Sequence, residues 1–202
     1  MALGKDLNRL FDATMRARIH YGIWYVLKNR TDRRKYVDVM NDYYWFFSPS
    51  IGAHFTAMLL ELCSIYDQKE NRVNIHRVIN HIGQMSGFDR RSFQGVRRRM
   101  RSVQPLLRKA LILRHNVFAH MSAKLDPEDA FRKAQISMFN FRSLINHTEA
   151  MLQQLAKLSG NRERTLVESS ELDVRDVLET LRRAGGKEGL TGSARLLPGQ
   201  TG

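Results

Sequence analysis

Apolar residues recur at alternating steps of three and four along most of this 202-residue chain, which is the spacing of one face of an amphipathic helix. The clearest case begins at Asp126-Pro127, a helix start signal, and ends at Gly160. Its seam consists of apolar or neutral residues: Phe131, Ala134, Met138, Phe141, Ile145, Thr148, Leu152 and Leu155. This pattern predicts one unbroken helix over residues 126–158, with a seam about eight turns long that packs along other long helices.

Stripes of the same kind predict further helices along the rest of the chain. In chain order they are residues 7–28; Val37, Met40, Tyr44 and Phe47; residues 51–65, opened by Ser48-Pro49; Ile75, Val78, Ile79 and Ile82; the basic segment 89–113; and Val174, Val177, Leu178 and Leu181, capped by Ser170-Glu171-Leu172-Asp173. We expect the basic helix to kink or restart near Pro105, because proline lacks a backbone donor. No stretch alternates with period two for long enough to form a strand. The predicted fold is an all-α, up-and-down helical bundle.

The pattern also predicts how the chain is organised. Residues 1–160 read as one helical domain and residues 161–184 as an extra C-terminal amphipathic helix. Residues 185–202 hold 6 of the 13 glycines and little that is apolar. A segment of that composition cannot bury a core, so we expect a disordered tail.

Cysteine usage and the amino-terminal sequence favour a soluble, cytoplasmic protein. The single cysteine, Cys63, excludes an intramolecular disulfide and fits a reducing compartment. The amino terminus carries charges where a signal peptide needs an apolar stretch. No apolar run approaches the roughly 18–20 residues that span a bilayer.

The charge is strongly positive and unevenly distributed. There are 33 Lys and Arg against 20 Asp and Glu; 7 of each follow residue 160, so the excess lies in residues 1–160 as 26 against 13. Of the cations 24 are Arg, whose planar fork grips phosphate with two hydrogen bonds. A solvated basic surface is one explanation; an anionic partner, nucleic acid ahead of a membrane, is the other and the one we favour.

One short stretch, Leu113-Arg114-His115-Asn116-Val117-Phe118-Ala119-His120, carries a motif. Arg114 is followed by a polar residue and, after five intervening residues, by His120. Here the chain resembles the HEPN superfamily, most closely its abortive-infection (AbiU-type) branch. Ile65-Tyr66-Asp67 and Arg72-Val73-Asn74-Ile75 extend the likeness, which covers roughly residues 5–158.

The resemblance implies a metal-independent endoribonuclease of a prokaryotic defence or toxin–antitoxin type, which needs no cofactor. RNA carries its own nucleophile, the 2′-hydroxyl. A histidine moves protons near neutral pH, and an arginine stabilises charge on the phosphorus oxygens. We therefore expect Arg114 and His120 to be catalytic and the products to be a 2′,3′-cyclic phosphate and a 5′-hydroxyl. HEPN proteins usually pair as homodimers with facing motifs, which would supply the second histidine.

Other residues around the motif have two interpretations each. Glu61, in an apolar run, is our candidate to orient Arg114, or else a partly exposed residue on the helix flank. Asn116 either positions the phosphate or caps the turn, and His115 is a further supporting candidate. The arginines that lead into the motif form either an RNA-binding track or a solvated face: Arg90, Arg91, Arg97, Arg98, Arg99 and Arg101.

Chance matches to the motif must be set aside. Arg142 and His147 fit its spacing but lie within one predicted helix, about 140° apart around its axis; Arg108 and His115 fit it too. His76 and His81 are five residues apart, which is wrong for two metal ligands on one helical face. The aromatic run at residues 43–47 fits a core or a dimer contact.

Two further hypotheses remain. The first is a HEPN-like adaptor that binds RNA or protein without cutting, and the second is a helical scaffold with an accidental motif. The family implies that an antitoxin or another regulatory protein could be a partner. In HEPN toxins controlled by nucleotidyltransferase antitoxins, a tyrosine often follows two residues after the motif histidine; here it is Ser122, which argues against control by adenylylation there.

Overall fold

The computed structural model describes residues 2–68, 72–119, 132, 134–165 and 169–185, without the side chains of residues 2 and 116–119. These ranges contain seven helices and no strand, so the prediction of an all-α fold is confirmed. The helices are α1 (Ala2–Lys28), α2 (Arg30–Asp42), α3 (Tyr44–Tyr66), α4 (Ile75–Gly83), α5 (Arg90–Ala119), α6 (Met138–Leu158) and α7 (Ser170–Arg183).

The chain forms two compact units, and α1 and α3 contribute residues to both. The first unit takes its described residues from Met1–Tyr21 and Phe55–Glu168, the second from Gly22–His54 and Ser169–Gly202. The predicted division at residues 160 and 185 stays a prediction, since residues 186–202 lie outside the described part of the chain.

The first unit is built around the packing of α5 against α6 and of α4 against α6. The apolar stripe of α4 is buried as predicted, at Ile75, Val78, Ile79 and Ile82. Phe55 and Phe141 meet edge to face with ring centres 5.9 Å apart. Buried hydroxyls are satisfied within this core: Tyr66 and Thr148 share a hydrogen bond of 2.6 Å, and Thr148 also donates to the Leu144 carbonyl.

The second unit combines the end of α1, α2, the start of α3 and α7. Its core consists of buried apolar and aromatic side chains: Val26, Leu27, Tyr36, Val39, Met40, Phe47 and Leu178. Polar contacts reinforce the packing of α2 against α7, since the Arg175 guanidinium donates two hydrogen bonds to Asp32, at 3.1 and 3.0 Å. Glu179 of α7 pairs with Lys35 of α2 at 3.2 Å.

The predicted unbroken helix over residues 126–158 is wrong where the structure describes it. Gln135 has a φ of 47°, and α6 begins only at Met138. Ser137 caps it: its hydroxyl accepts from the Asn140 amide, and the Asn140 side chain accepts from the Ser137 amide. These local bonds satisfy backbone donors that a continuous helix would use, so the chain turns here. Residues 126–131 lie outside the described ranges.

Two other predicted boundaries also move. The second helix ends at Asp42, because Tyr43 leaves helical geometry (φ −110°, ψ 40°), so Tyr44 and Phe47 belong to α3 and Ser48-Pro49 lie inside it. The basic helix does not restart at Pro105 but runs as one element to Ala119. It therefore includes most of the motif that the sequence placed between two helices.

Candidate functional site

The motif begins on the last turns of α5. Arg114 is partly buried, His115 is exposed, and Asn116 is helical in its backbone, although its side chain is not described. His120, directly after the last residue of α5, and Ser122 lie outside the described residues. The pairing of Arg114 with His120 therefore stays a prediction.

Arg114 lies beside the carboxyl-terminal end of α3. Its charge acts on Cys63 of α3, which is 1% exposed. Burial raises the pKa of the Cys63 thiol to about 12, while the positive charge of Arg114 acts to lower it and Asp67 to raise it. Arg114 and Asp67 thus both lie within electrostatic range of one buried thiol. Since that thiol stays protonated at neutral pH, Cys63 is a core residue and not a nucleophile.

Glu61 has a different partner from the one expected. Both of its carboxylate oxygens accept hydrogen bonds from Arg16 of α1, at 2.6 and 3.1 Å. Positions 61 and 63 are about 200° apart around α3, so Glu61 and Cys63 face opposite sides of the helix. Glu61 therefore serves the contact with α1, where burial lowers the pKa of His20 and Glu61 opposes that shift.

Asp67 is the carboxylate that sequence reasoning did not single out. Its side chain is only 12% exposed and pairs with Arg72 at 3.6 Å. It follows directly after the last residue of α3, and its charge acts on the same buried Cys63 thiol as that of Arg114. The available signal was an acidic residue at the end of an apolar helical stripe, in the Ile65-Tyr66-Asp67 segment that carries the family likeness.

The arginines of α5 are arranged in rows along the helix. The helix holds nine Arg and Lys residues and no carboxylate. At 100° per residue, Arg90, Arg97, Arg101, Arg108 and His115 fall within about 40° of one another around the axis; we call these five residues the α5 stripe. All five are exposed. Arg91 and Arg98 form an adjacent exposed row. Arg99 is partly buried and lies about 180° from Arg90 around the helix axis.

The arginines of the stripe lack carboxylate partners in the part of the chain that the structure describes. Most arginines elsewhere in the described chain pair with a carboxylate, as Arg16, Arg18, Arg164 and Arg175 do. Within the described residues, none of the α5 stripe arginines has an ion pair. Arg97 lies over the Phe93 ring at 5.0 Å, which fixes its stem but leaves its charge available. The stripe is therefore a continuous positive surface leading along α5 towards the motif.

The competing motif match at Arg142 has a structural role. Arg142 donates to the Tyr21 hydroxyl at 3.2 Å and stacks over the same ring at 5.3 Å.

Where the structure describes the chain, no three His, Cys, Asp or Glu side chains converge as a metal ion requires. None of the helices in the described ranges offers the long uncharged apolar stretch that crossing a bilayer demands.

Comparison with known proteins gives one match. The family model for AbiU2, a HEPN-type family, matches residues 3–179 of this chain. No curated protein and no solved structure matches it. The matched range includes the α5 stripe, Arg114 and His120.

Proposed function

Because this chain belongs to the AbiU2 family of HEPN proteins, we propose that it is a metal-independent endoribonuclease of a prokaryotic defence or toxin–antitoxin system, acting in the cytoplasm. The observation that carries the proposal is the α5 stripe, whose four exposed arginines have no ion pair within the described residues and which leads along α5 to the motif. Such a row neutralises phosphates along a strand and holds it without reading its sequence.

The chemistry follows from the residue types. The RNA 2′-oxygen attacks the adjacent phosphorus as its proton passes to one histidine, and a second histidine protonates the departing 5′-oxygen. The phosphorus–O5′ bond breaks and a 2′,3′-cyclic phosphate and a 5′-hydroxyl are left. Arg114 stabilises the negative charge that builds on the phosphorus oxygens, because its guanidinium stays protonated.

A second copy of the chain supplies the second histidine in this proposal. His120 can act as base or acid in one turnover, so a composite site at a homodimer cleft completes the pair. An exposed aromatic surface at the start of α3, formed by Tyr44, Trp45 and Phe46, supports contact with a partner. Trp45 is 86% exposed, which is rare for a residue without a binding role.

Cleavage assays with excess chelator test the proposal. The wild-type protein should cut RNA in EDTA, and His120→Ala should lose at least about a hundredfold in rate. Arg114→Ala should lose about as much, while the matched control His147→Ala keeps full activity. Activity that disappears in EDTA and returns with magnesium would refute the metal-independent mechanism.

A non-catalytic adaptor is the second candidate. It is favoured by one observation: Glu61, the residue expected to orient Arg114, is held by Arg16. An adaptor would bind RNA with the same salt dependence in wild-type and His120→Ala forms, and neither would generate new RNA ends.

A further inference from the structure

A polar groove of about 630 Å³ lies along the outward face of α4. The buried residues of α4 occupy one side of the helix, whereas the groove side chains occupy the other. Around the helix axis the latter span about 140°. The groove is lined by Gln68, Asn74, His76, Arg77, Asn80, His81 and Gln84. No acidic residue is among the described side chains that line it, so the groove does not repel a phosphate backbone.

The lining consists of groups that recognise bases. Asn80 and Gln84 lie one turn apart on the exposed face of α4, and each amide offers a donor and an acceptor. Their side chains make no hydrogen bond within the described part of the chain. An amide of this kind pairs with the N6 amino group and N7 of adenine through two hydrogen bonds. Imidazole rings such as those of His76 and His81 offer flat faces on which an unpaired base stacks.

Two of the residues that line the groove, Asn74 and Arg77, have structural roles. Asn74, beneath the groove, is buried and caps α4: its side-chain oxygen accepts from the Arg77 amide at 2.9 Å, and its amide group donates to the Arg72 carbonyl. Arg77 pairs with Asp6 at 3.6 Å. Burial lowers the pKa of His76, and its Nε2 lies 3.3 Å from the Gln68 amide nitrogen. The lowered pKa favours the neutral form of the His76 imidazole.

The carboxyl-terminal end of α4 lies close to the start of α5. The end of α4 packs on Phe93 of α5, since a Cβ on Gly83 would approach the Phe93 ring to 3.1 Å. Phe88, in the short connection, meets the same ring edge to face at 5.0 Å. Gln84, at this end of the groove, is therefore near the start of α5, which lies about 36 Å along the helix from Arg114.

We propose that the α4 groove is a base-recognition subsite that accepts an unpaired base of single-stranded RNA, adenine in preference, through the Asn80 and Gln84 amides. This inference rests on the proposed RNA substrate. Because the groove is remote from Arg114, it selects the strand by affinity and contributes nothing to the cleavage step itself.

Binding of short RNAs to the full chain tests it, in the His120→Ala background to prevent cutting. The probes are oligouridines of about twelve nucleotides, unsubstituted or with a central A, C or G, followed by fluorescence anisotropy. The A-containing probe should bind about tenfold more tightly than oligouridine. Asn80→Ala with Gln84→Ala should reduce that preference to within about twofold while leaving oligouridine affinity unchanged. Asn8→Ala, an exposed asparagine on α1 of the same unit, is the matched control and keeps the preference.

The outcomes separate the two proposals. A double variant that keeps the adenine preference, or loses affinity for all probes equally, overturns the subsite while RNA binding stands. Equal binding of all probes by the parent protein, or a preference for another base, also overturns it. Failure of every form to bind any probe refutes the proposed function together with this inference. Unchanged circular dichroism of the double variant shows that folding is not the cause.

Discussion

Reversing two charges of the α5 stripe should weaken RNA binding in a way that salt reveals. Arg97 and Arg101 are both exposed on one face of α5 and have no ion pair among the described residues. Replacing both by Glu removes two phosphate contacts and leaves Arg114 and the groove of α4 unchanged. We expect the loss to be similar for unrelated RNA sequences, since phosphate contacts carry no base information.

The magnitude follows from counterion release. Each phosphate contact on single-stranded nucleic acid contributes about 0.7 to the slope of log affinity against log salt. Two lost contacts therefore reduce the slope by about 1.4. Between about 50 and 200 mM salt, wild-type protein should lose about sevenfold more affinity than the double reversal does.

The assay is a salt titration of RNA binding by fluorescence anisotropy, with protein in the His120→Ala background. The matched control is Lys5→Glu with Arg162→Glu, which changes the net charge equally at exposed positions of the same unit that are not part of α5. The control should keep the wild-type slope. If the double reversal on α5 keeps it as well, the stripe is only a solvated face. If both variants lower the salt slope equally, the overall charge of the protein binds RNA and the stripe has no special role.

Two further predictions concern stability. Arg98→Glu should raise it by about 0.4–1 kcal/mol, measured by urea unfolding followed by circular dichroism, because a repulsive pair with Arg101 at i,i+3 becomes attractive; a loss of stability would contradict this. In the second unit, burial raises the pKa of Asp32. Hydrogen bonds from Arg175 and Asn29 lower that pKa by more than burial raises it, so the net shift is downward. A lowered carboxyl pKa stabilises the fold above about pH 4 and ceases to do so as the pH falls further. Arg175→Ala should therefore cost about 1–2 kcal/mol at pH 7 and less in acid. Tryptophan fluorescence follows this unit because Trp24 and Trp45 both lie in it; a cost that does not vary with pH would count against the pair.

Helix positions were predictable where burial follows periodicity alone. On α4 the spacing of Ile75, Val78, Ile79 and Ile82 identifies the buried face, and all four are buried. The start of α6 was missed for a local reason. Its capping box uses Asn140 where Glu or Gln is the usual partner, and the positive φ of Gln135 falls on a residue with no sequence signal for it.

The candidate site was predictable in part. The basic character of α5 follows from composition, and 100° per residue then separates the stripe from Arg99. The partner of a residue on a helix flank depends on packing between distant segments, which the sequence pattern does not give. Of the two interpretations of Glu61, the partly exposed flank residue agrees with the structure, in which Glu61 pairs with Arg16, 45 residues away along the chain. The structure places the buried Cys63 within electrostatic range of Arg114.

The measurement that tests the central claim most directly is the identification of RNA ends after incubation in excess EDTA. Mass spectrometry of an oligonucleotide treated with wild-type protein should reveal a 2′,3′-cyclic phosphate on the upstream fragment and a 5′-hydroxyl on the downstream one. The same fragments should be absent with His120→Ala. Intact RNA after incubation with wild-type protein, or fragments that carry 5′-phosphates, would contradict the account.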